Sequence, residues 1–152
     1  MSKVASKGPP VKTFDLEKLS DDYMSGWNSH DPAKVASFFR EDGKYESLPT
    51  GTVCTGPQAV KDYVESFCRS IPNIKIALKS RFASENKVAA EWTMSGTQSG
   101  AFAGIPATNK KFSFPFVTID EWKEGKISRM TAYYNLVDLL QQLGLMPGNK
   151  SK

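Results

Sequence analysis

KFSFPFVTIDEWKEGKISRMTAYYN, residues 111–135, reads as two long strands joined by a turn. Apolar and polar side chains alternate with period two across 111–122 and 126–135, the pattern of a sheet with one buried face. Lys123-Glu124-Gly125-Lys126 suits a type I turn followed by a left-handed glycine, which makes a bulged hairpin. In that register Trp122 opposes Lys126 and Thr118 opposes Met130. One face carries Phe114, Phe116, Thr118, Asp120, Met130, Ala132 and Tyr134. The other carries Val117, Ile119, Glu121, Arg129, Thr131, Tyr133 and Asn135.

Upstream, the same alternation predicts strands over 73–82 and 86–97, with Glu85-Asn86 as their hairpin turn, and a shorter strand over 43–48. A loop is expected from there through Pro49, Gly51 and Gly56. Before Pro72 the period is helical. Asp15 is positioned to cap a helix with Leu16, Leu19, Tyr23 and Trp27 along one side. Asn28-Ser29-His30 breaks it, and Asp31-Pro32 starts a short second helix that buries Val35, Phe38 and Phe39. Thr55-Gly56-Pro57-Gln58 has the form of a capping box. It opens a third helix whose stripe is Val60, Tyr63, Val64, Phe67, Cys68 and Ile71, with Cys68 as buried filler. After the last strand, Leu136, Leu139, Leu140 and Leu143 form a closing helical stripe that Gly144 ends.

Helices first and a meander of strands afterwards imply an α+β domain rather than alternating α/β. The expected architecture is one cone-shaped domain over 13–146. A curved antiparallel (mixed) sheet wraps around three N-terminal helices and encloses an apolar pocket. Residues 1–12, with Gly8-Pro9-Pro10, read as a disordered lead-in, and 147–152 as a short C-terminal tail.

Composition narrows the function. The chain has 152 residues, 39% hydrophobic and 24% charged, enough for a core without a disulfide or metal staple. Its formal charge of +4 is carried by the tails, which hold Lys3, Lys7, Lys12, Lys150 and Lys152 and no acid. Without those five lysines the body is slightly acidic, so no nucleic-acid partner is expected. No apolar run reaches the ~20 residues of a membrane helix, and Met1–Lys12 lacks the apolar core of a secretory signal. Cys54 and Cys68, with no histidine near either, argue against a metal site and for a reducing cytoplasm.

Three stretches resemble the SnoaL-like polyketide cyclase family, within the nuclear-transport-factor-like cone superfamily. Trp27-Asn28-Ser29-His30-Asp31 is similar to its first helix-to-helix corner. Gly96-Thr97-Gln98-Ser99-Gly100 with Gly104-Ile105-Pro106-Ala107-Thr108-Asn109-Lys110 resembles the loop between two central strands. Gly125-Lys126-Ile127, Tyr133-Tyr134-Asn135 and Leu140-Gln141-Gln142-Leu143-Gly144 resemble the closing hairpin and helix. The resemblance spans about residues 15–146. It implies a cofactor-free aldol cyclisation of a polyketide ester, and a dimer through the convex sheet face. It also implies a buried Asp on the last strand as acid/base, a position that falls on Ala132 here. A His on the preceding strand falls on Thr118, and the commoner variant's Asp falls on Asn135. General acid/base groups contribute ~100-fold to 10,000-fold. Ala, Thr and Asn exchange no proton near neutral pH, so the family's mechanism does not carry over with the fold.

On the concave face the resemblance leaves an expected pocket of Trp27, Tyr63, Phe67, Trp92, Phe114, Phe116, Thr118, Met130 and Ala132. Asp120 and Tyr134 are the catalytic candidates. Asp120 is either a buried acid with a raised pKa or a solvated residue near the turn. Tyr134 is either packing or a hydrogen-bond donor to an oxyanion, as Tyr is in steroid-isomerase-type cones. His30 is read as fixing its corner, and Glu46 and Glu91 as solvated. Two functions remain: a cofactor-free cyclase or isomerase for a medium-sized apolar carbonyl compound, or a non-catalytic module that binds such a hydrophobic molecule. A dimeric interaction domain with a vestigial pocket is the weaker third.

Overall fold

A computed structural model describes residues 14–147, so the tails expected at 1–12 and 147–152 lie, Pro147 apart, outside the described residues. Helices α1 (Leu16–Asn28) and α2 (Pro32–Ser37) lead into strands β1 (Phe39–Ser47) and β2 (Thr52–Thr55). Helix α3 (Gly56–Ser70) follows. Strands β3 (Lys75–Ser84), β4 (Lys87–Gln98), β5 (Lys110–Lys123) and β6 (Lys126–Tyr134) come next, and α4 (Leu136–Gln142) closes the chain. The strands form one sheet in the order β2-β1-β6-β5-β4-β3, antiparallel except for the parallel β1–β6 pair. This is the expected α+β cone, with four helices and a mixed sheet.

Local chemistry explains the boundaries. Asp15 accepts the Lys18 amide at 3.1 Å and Asp31 the Lys34 amide at 3.0 Å, two side-chain caps that satisfy otherwise orphaned N–H groups. Asn135 caps α4 by accepting the Asp138 amide. Thr55 does precede α3, but its side chain makes no cap bond, so the capping-box reading fails there. Pro57 in the first turn has no N–H to be capped, which lowers the need for one. The segment expected as a loop from Pro49 to Gly56 contains β2, which pairs with β1 from Ser47↔Thr52 to Lys44↔Thr55. Too short for its alternation to stand out, β2 is held by β1. Strand β1 itself begins earlier than expected and bulges between Phe39 and Lys44. Gly43 lies in that bulge, where a Cβ would stand 2.5 Å from the Ile127 carbonyl oxygen.

The closing hairpin differs from expectation in detail. Glu124 (φ 53) and Gly125 (φ 80) are both left-handed, the signature of a two-residue type I′ turn. Lys123 therefore pairs with Lys126, and the extra residue sits further back, where the register shifts between Glu121 and Trp122. Thr118 faces Ala132 and Asp120 faces Met130, two residues away from the expected pairing. An even shift leaves every side chain on its assigned face. Phe114, Phe116, Thr118, Asp120, Met130 and Ala132 are buried and Tyr134 is half-buried, whereas Arg129, Tyr133 and Asn135 are exposed. Thr131 is the exception, an outward-assigned residue that is buried. Cys68, expected to be buried, is half-buried near the edge of the α3 stripe, and Glu46 is half-buried rather than solvated.

The corner after α1 is bolted to the sheet. The Asn28 amide donates to the Ile76 carbonyl and accepts the Ile76 amide, both at 2.8 Å. His30 is exposed with φ 58, and its Nε2 lies 3.3 Å from the Ile74 carbonyl oxygen. Both residues fix the angle at which α1 enters the cone.

Candidate functional site

Between α3, α4 and the concave side of β1, β4, β5 and β6 lies an apolar cavity of ≈ 40 Å³. That is space for only a few waters, in a setting too apolar to hold them well. Of the residues expected in a pocket, Tyr63, Phe67, Phe114, Phe116 and Ala132 line it, joined by the catalytic candidate Tyr134. A second, smaller cavity of ≈ 20 Å³ lies deeper and is bordered by Trp27, Thr118 and Met130. Tyr45, Phe67, Met94 and Phe116 border both, so those four side chains form the partition between them. Trp92 borders neither. It is core, and its indole N–H donates to Thr118 Oγ1 at 2.9 Å.

Aromatic stacking sets the walls. The Phe67 ring meets Trp27 edge-on at 5.4 Å and Tyr63 at 5.3 Å, and lies 4.0 Å from Phe102. Phe114 stacks obliquely on Tyr134 at 5.3 Å. These contacts account for the small size of the cavity, since aromatic side chains occupy most of the interior of the cone.

Phe102 and Ile105 come from the loop between β4 and β5, and sequence reasoning did not place them in the site. Their backbones pair with each other across a two-residue turn in which Ala103 (φ 50) and Gly104 (φ 80) are left-handed, and the Ile105 carbonyl also accepts from Gln98 Nε2 at 3.4 Å. The ends of this loop are latched from below. Gln98, buried, donates through Nε2 to the carbonyls of Gly100 and Pro106 and accepts through Oε1 from the Thr108 amide and hydroxyl. Ser70 Oγ donates to the Ala101 carbonyl at 2.6 Å. Gln98 was visible in the Gly96-Thr97-Gln98 motif; its role required knowing where the loop returns.

Apart from the Gln98 amide, the polar groups of the cavity wall are tyrosine hydroxyls. Tyr45 and Tyr63 stack with ring centres 5.2 Å apart. Burial pushes both hydroxyls well above the ordinary phenol range, and burial raises Tyr134 as well. All three stay protonated at physiological pH and remain donors. Among the described residues, those bordering the two cavities include no carboxylate or imidazole.

Asp120 stands just beyond them. It is 2% exposed, so the solvated alternative is ruled out, and its side chain lies beside Thr118 on β5. Desolvation pushes its carboxyl up to about 7, and the Trp122 indole and Thr118 hydroxyl pull more weakly the other way. Neither meets Oδ1 in hydrogen-bonding geometry, and both Asp120 Oδ1 and Trp122 Nε1 are buried without a partner. Tyr23, buried beneath α1 and bonded to the Trp27 indole at 3.0 Å, borders the deeper cavity and lies within electrostatic range of Asp120. Asn135, where the resemblance puts the family variant's Asp, is exposed and spends its side chain on the α4 cap. Among the described residues, no group of three or more His, Cys, Asp or Glu is placed to hold a metal ion, and no helix is long and apolar enough to cross a membrane.

Solved structures share this architecture across most of their length. TsrD from Streptomyces laurentii superposes with a TM-score of 0.77 at 21% identity, over 86% of this chain and 96% of that one. A protein with a ketosteroid isomerase-like fold from Catenulispora acidiphila, crystallised with trimethylamine, gives 0.75 at 21% identity, over 85% and 94%. AclR from Streptomyces galilaeus gives 0.73 at 24% identity, over 86% and 96%. At such identities the likeness shows the fold alone. Among curated proteins no sequence matches. The family model described as SnoaL-like polyketide cyclase matches residues 17–143, from the first turn of α1 to the residue that ends α4. With the helix corner, the latched loop and the closing hairpin all inside that span, the chain belongs to the SnoaL-like polyketide cyclase family.

Proposed function

We propose that this protein binds a medium-sized apolar carbonyl compound, polyketide- or steroid-like, in the cavity between α3, α4 and the sheet, and needs no cofactor to do so. The observation that carries this reading is the cavity wall, which is aromatic and aliphatic throughout apart from Gln98 and the tyrosine hydroxyls. Gln98 spends its amide on the loop. A ligand in such a site is held by apolar contact and oriented by a few donors. At ≈ 40 Å³ the cavity is closed to a ring system, so binding displaces a wall. The turn Phe102–Ile105 is the wall that gives way, since its two backbone hydrogen bonds close on each other and only a long 3.4 Å bond from Gln98 Nε2 to the Ile105 carbonyl ties its backbone to the latch.

A second reading, acid/base catalysis of the cyclase or isomerase kind, is favoured by Asp120, a buried acid with a pKa of about 7 and an unpartnered oxygen next to the deeper cavity. One experiment addresses both. The protein is incubated with 2-acetylnaphthalene in D2O, with binding followed by calorimetry and exchange of the methyl protons by NMR. Binding without exchange above background supports the binding module. Exchange that disappears in Asp120→Asn supports catalysis. Absence of binding refutes the site. We further propose a homodimer through the convex face, where Val117 sits beside Tyr133 and Ile119 beside Thr131. The two cysteines, both free, support a cytoplasmic location.

A further inference from the structure

The turn between β1 and β2 carries a line of hydroxyls that the family resemblance does not account for. Ser47 is fully buried at the end of β1, paired across the sheet with Ala132. Thr50 Oγ1 donates to Ser47 Oγ at 3.0 Å, and Ser47 Oγ donates onward to Tyr134 Oη across a longer 3.5 Å. Thr50 and Thr52 share a 2.8 Å bond. Each hydroxyl has one proton to give. With the Thr50 proton committed to Ser47, Thr52 is the donor to Thr50. The relay leads from half-buried Thr52 and Thr50 through Ser47 to Tyr134, whose ring lines the cavity, and Thr50 also acts on the Tyr134 hydroxyl directly. Tyr134 receives a hydrogen bond and keeps its own proton. Its neighbours in the cavity include two more phenols, Tyr45 and Tyr63, and among the described residues no carboxylate or carbonyl accepts its proton.

We infer that Tyr134 is the hydrogen-bond donor to the ligand's carbonyl oxygen, and that Ser47 and Thr50 are positioning residues that turn its proton into the cavity. This deepens the binding reading above and rests on it. A buried serine on a strand otherwise packed against apolar residues is costly unless both its roles are used. The relay also polarises each hydroxyl in turn and makes the last one a better donor. It ties ligand orientation to the β1–β2 turn, since the oxygen-bearing end of the ligand must lie toward Ser47 and its apolar body toward Phe112 and Leu143.

The test uses two probes of nearly equal shape, 2-acetylnaphthalene and 2-isopropenylnaphthalene, which differ in a C=O against a C=CH2. Calorimetry gives the affinity ratio and infrared spectroscopy the carbonyl stretch of the bound ketone. The wild type should favour the ketone, with its stretch lowered relative to an apolar solvent. Tyr134→Phe should reduce the preference about tenfold. Ser47→Ala and Thr50→Val should move the carbonyl stretch back toward the apolar value while leaving affinity for the hydrocarbon unchanged, a signature that mere loosening of the fold does not produce. Ser47→Thr, which keeps the hydroxyl, should retain the shift. Equal affinity for both probes in the wild type, or a stretch indifferent to Tyr134→Phe, overturns the inference and leaves the cavity intact as a binding site. Failure of both probes to bind overturns the binding reading, and this inference with it.

Discussion

Asp120→Asn should stabilise the protein above neutral pH. The acid is 2% exposed, and its folded pKa is about 7 against an ordinary value of 3.8. Below pH 3.8 the carboxyl is protonated in both folded and unfolded chains, so it imposes no penalty. Between 3.8 and about 7 the unfolded chain releases the proton while the folded one keeps it, and stability falls as pH rises. Above about 7 both forms are ionised and the loss is complete. About three pKa units at ~1.4 kcal/mol each give a total near 4 kcal/mol. Asparagine keeps the shape and does not ionise. The assay is urea unfolding of wild type and Asp120→Asn at intervals from pH 4 to 8.5. Their difference in unfolding free energy should grow in favour of the variant by about 1.4 kcal/mol per pH unit and flatten above neutrality. A difference that stays constant with pH would refute the buried-acid account, because only an acid with equal folded and unfolded pKa values behaves so.

Other consequences concern the loop and the outer face. Gln98→Leu removes the latch and leaves the carbonyls of Gly100, Ile105 and Pro106 without their shared donor; it should cost about 1–3 kcal/mol and speed amide exchange across residues 99–109 well beyond that of the sheet. Unchanged protection in that loop would show that it is held by other contacts. Tyr133, 43% exposed beside Val117, is the side chain on which the proposed dimer depends. Tyr133→Lys should shift sedimentation toward the monomer while leaving the melting profile of the monomer intact, and a wild type that sediments as a monomer throughout contradicts the dimer.

The sheet was legible because its long strands state their period over ten or more residues, and α3 because its stripe is unbroken over four turns. An error of two in the closing register did not disturb the assignment of Asp120, since parity decides the face. Short elements were harder. β2 exists because β1 offers it an edge, which no local pattern encodes. The site was half legible. Phe114, Phe116 and Ala132 follow from alternation, but Phe102 and Ile105 enter through the return path of a loop. Tyr45 and Ser47 enter through the parallel pairing of β1 with β6, a contact between segments more than eighty residues apart. Trp92, on the correct face, turned out to be core because its indole is directed at Thr118 and away from the cavity. The environment of Asp120 depends on Val88, Met130 and Tyr23 arriving from three other elements.

The account depends on the cavity beside Ala132 being the place where a ligand sits. Calorimetric titration of 2-acetylnaphthalene into wild type and Ala132→Leu tests this directly, with Ala132→Val as a milder filling and thermal melts to show that each variant is folded. Saturable one-to-one binding by the wild type, weakened at least about tenfold by leucine and less by valine, is the expected result, since the added carbons occupy the space the ligand needs. Equal affinity in all three proteins would place the ligand elsewhere and contradict the account.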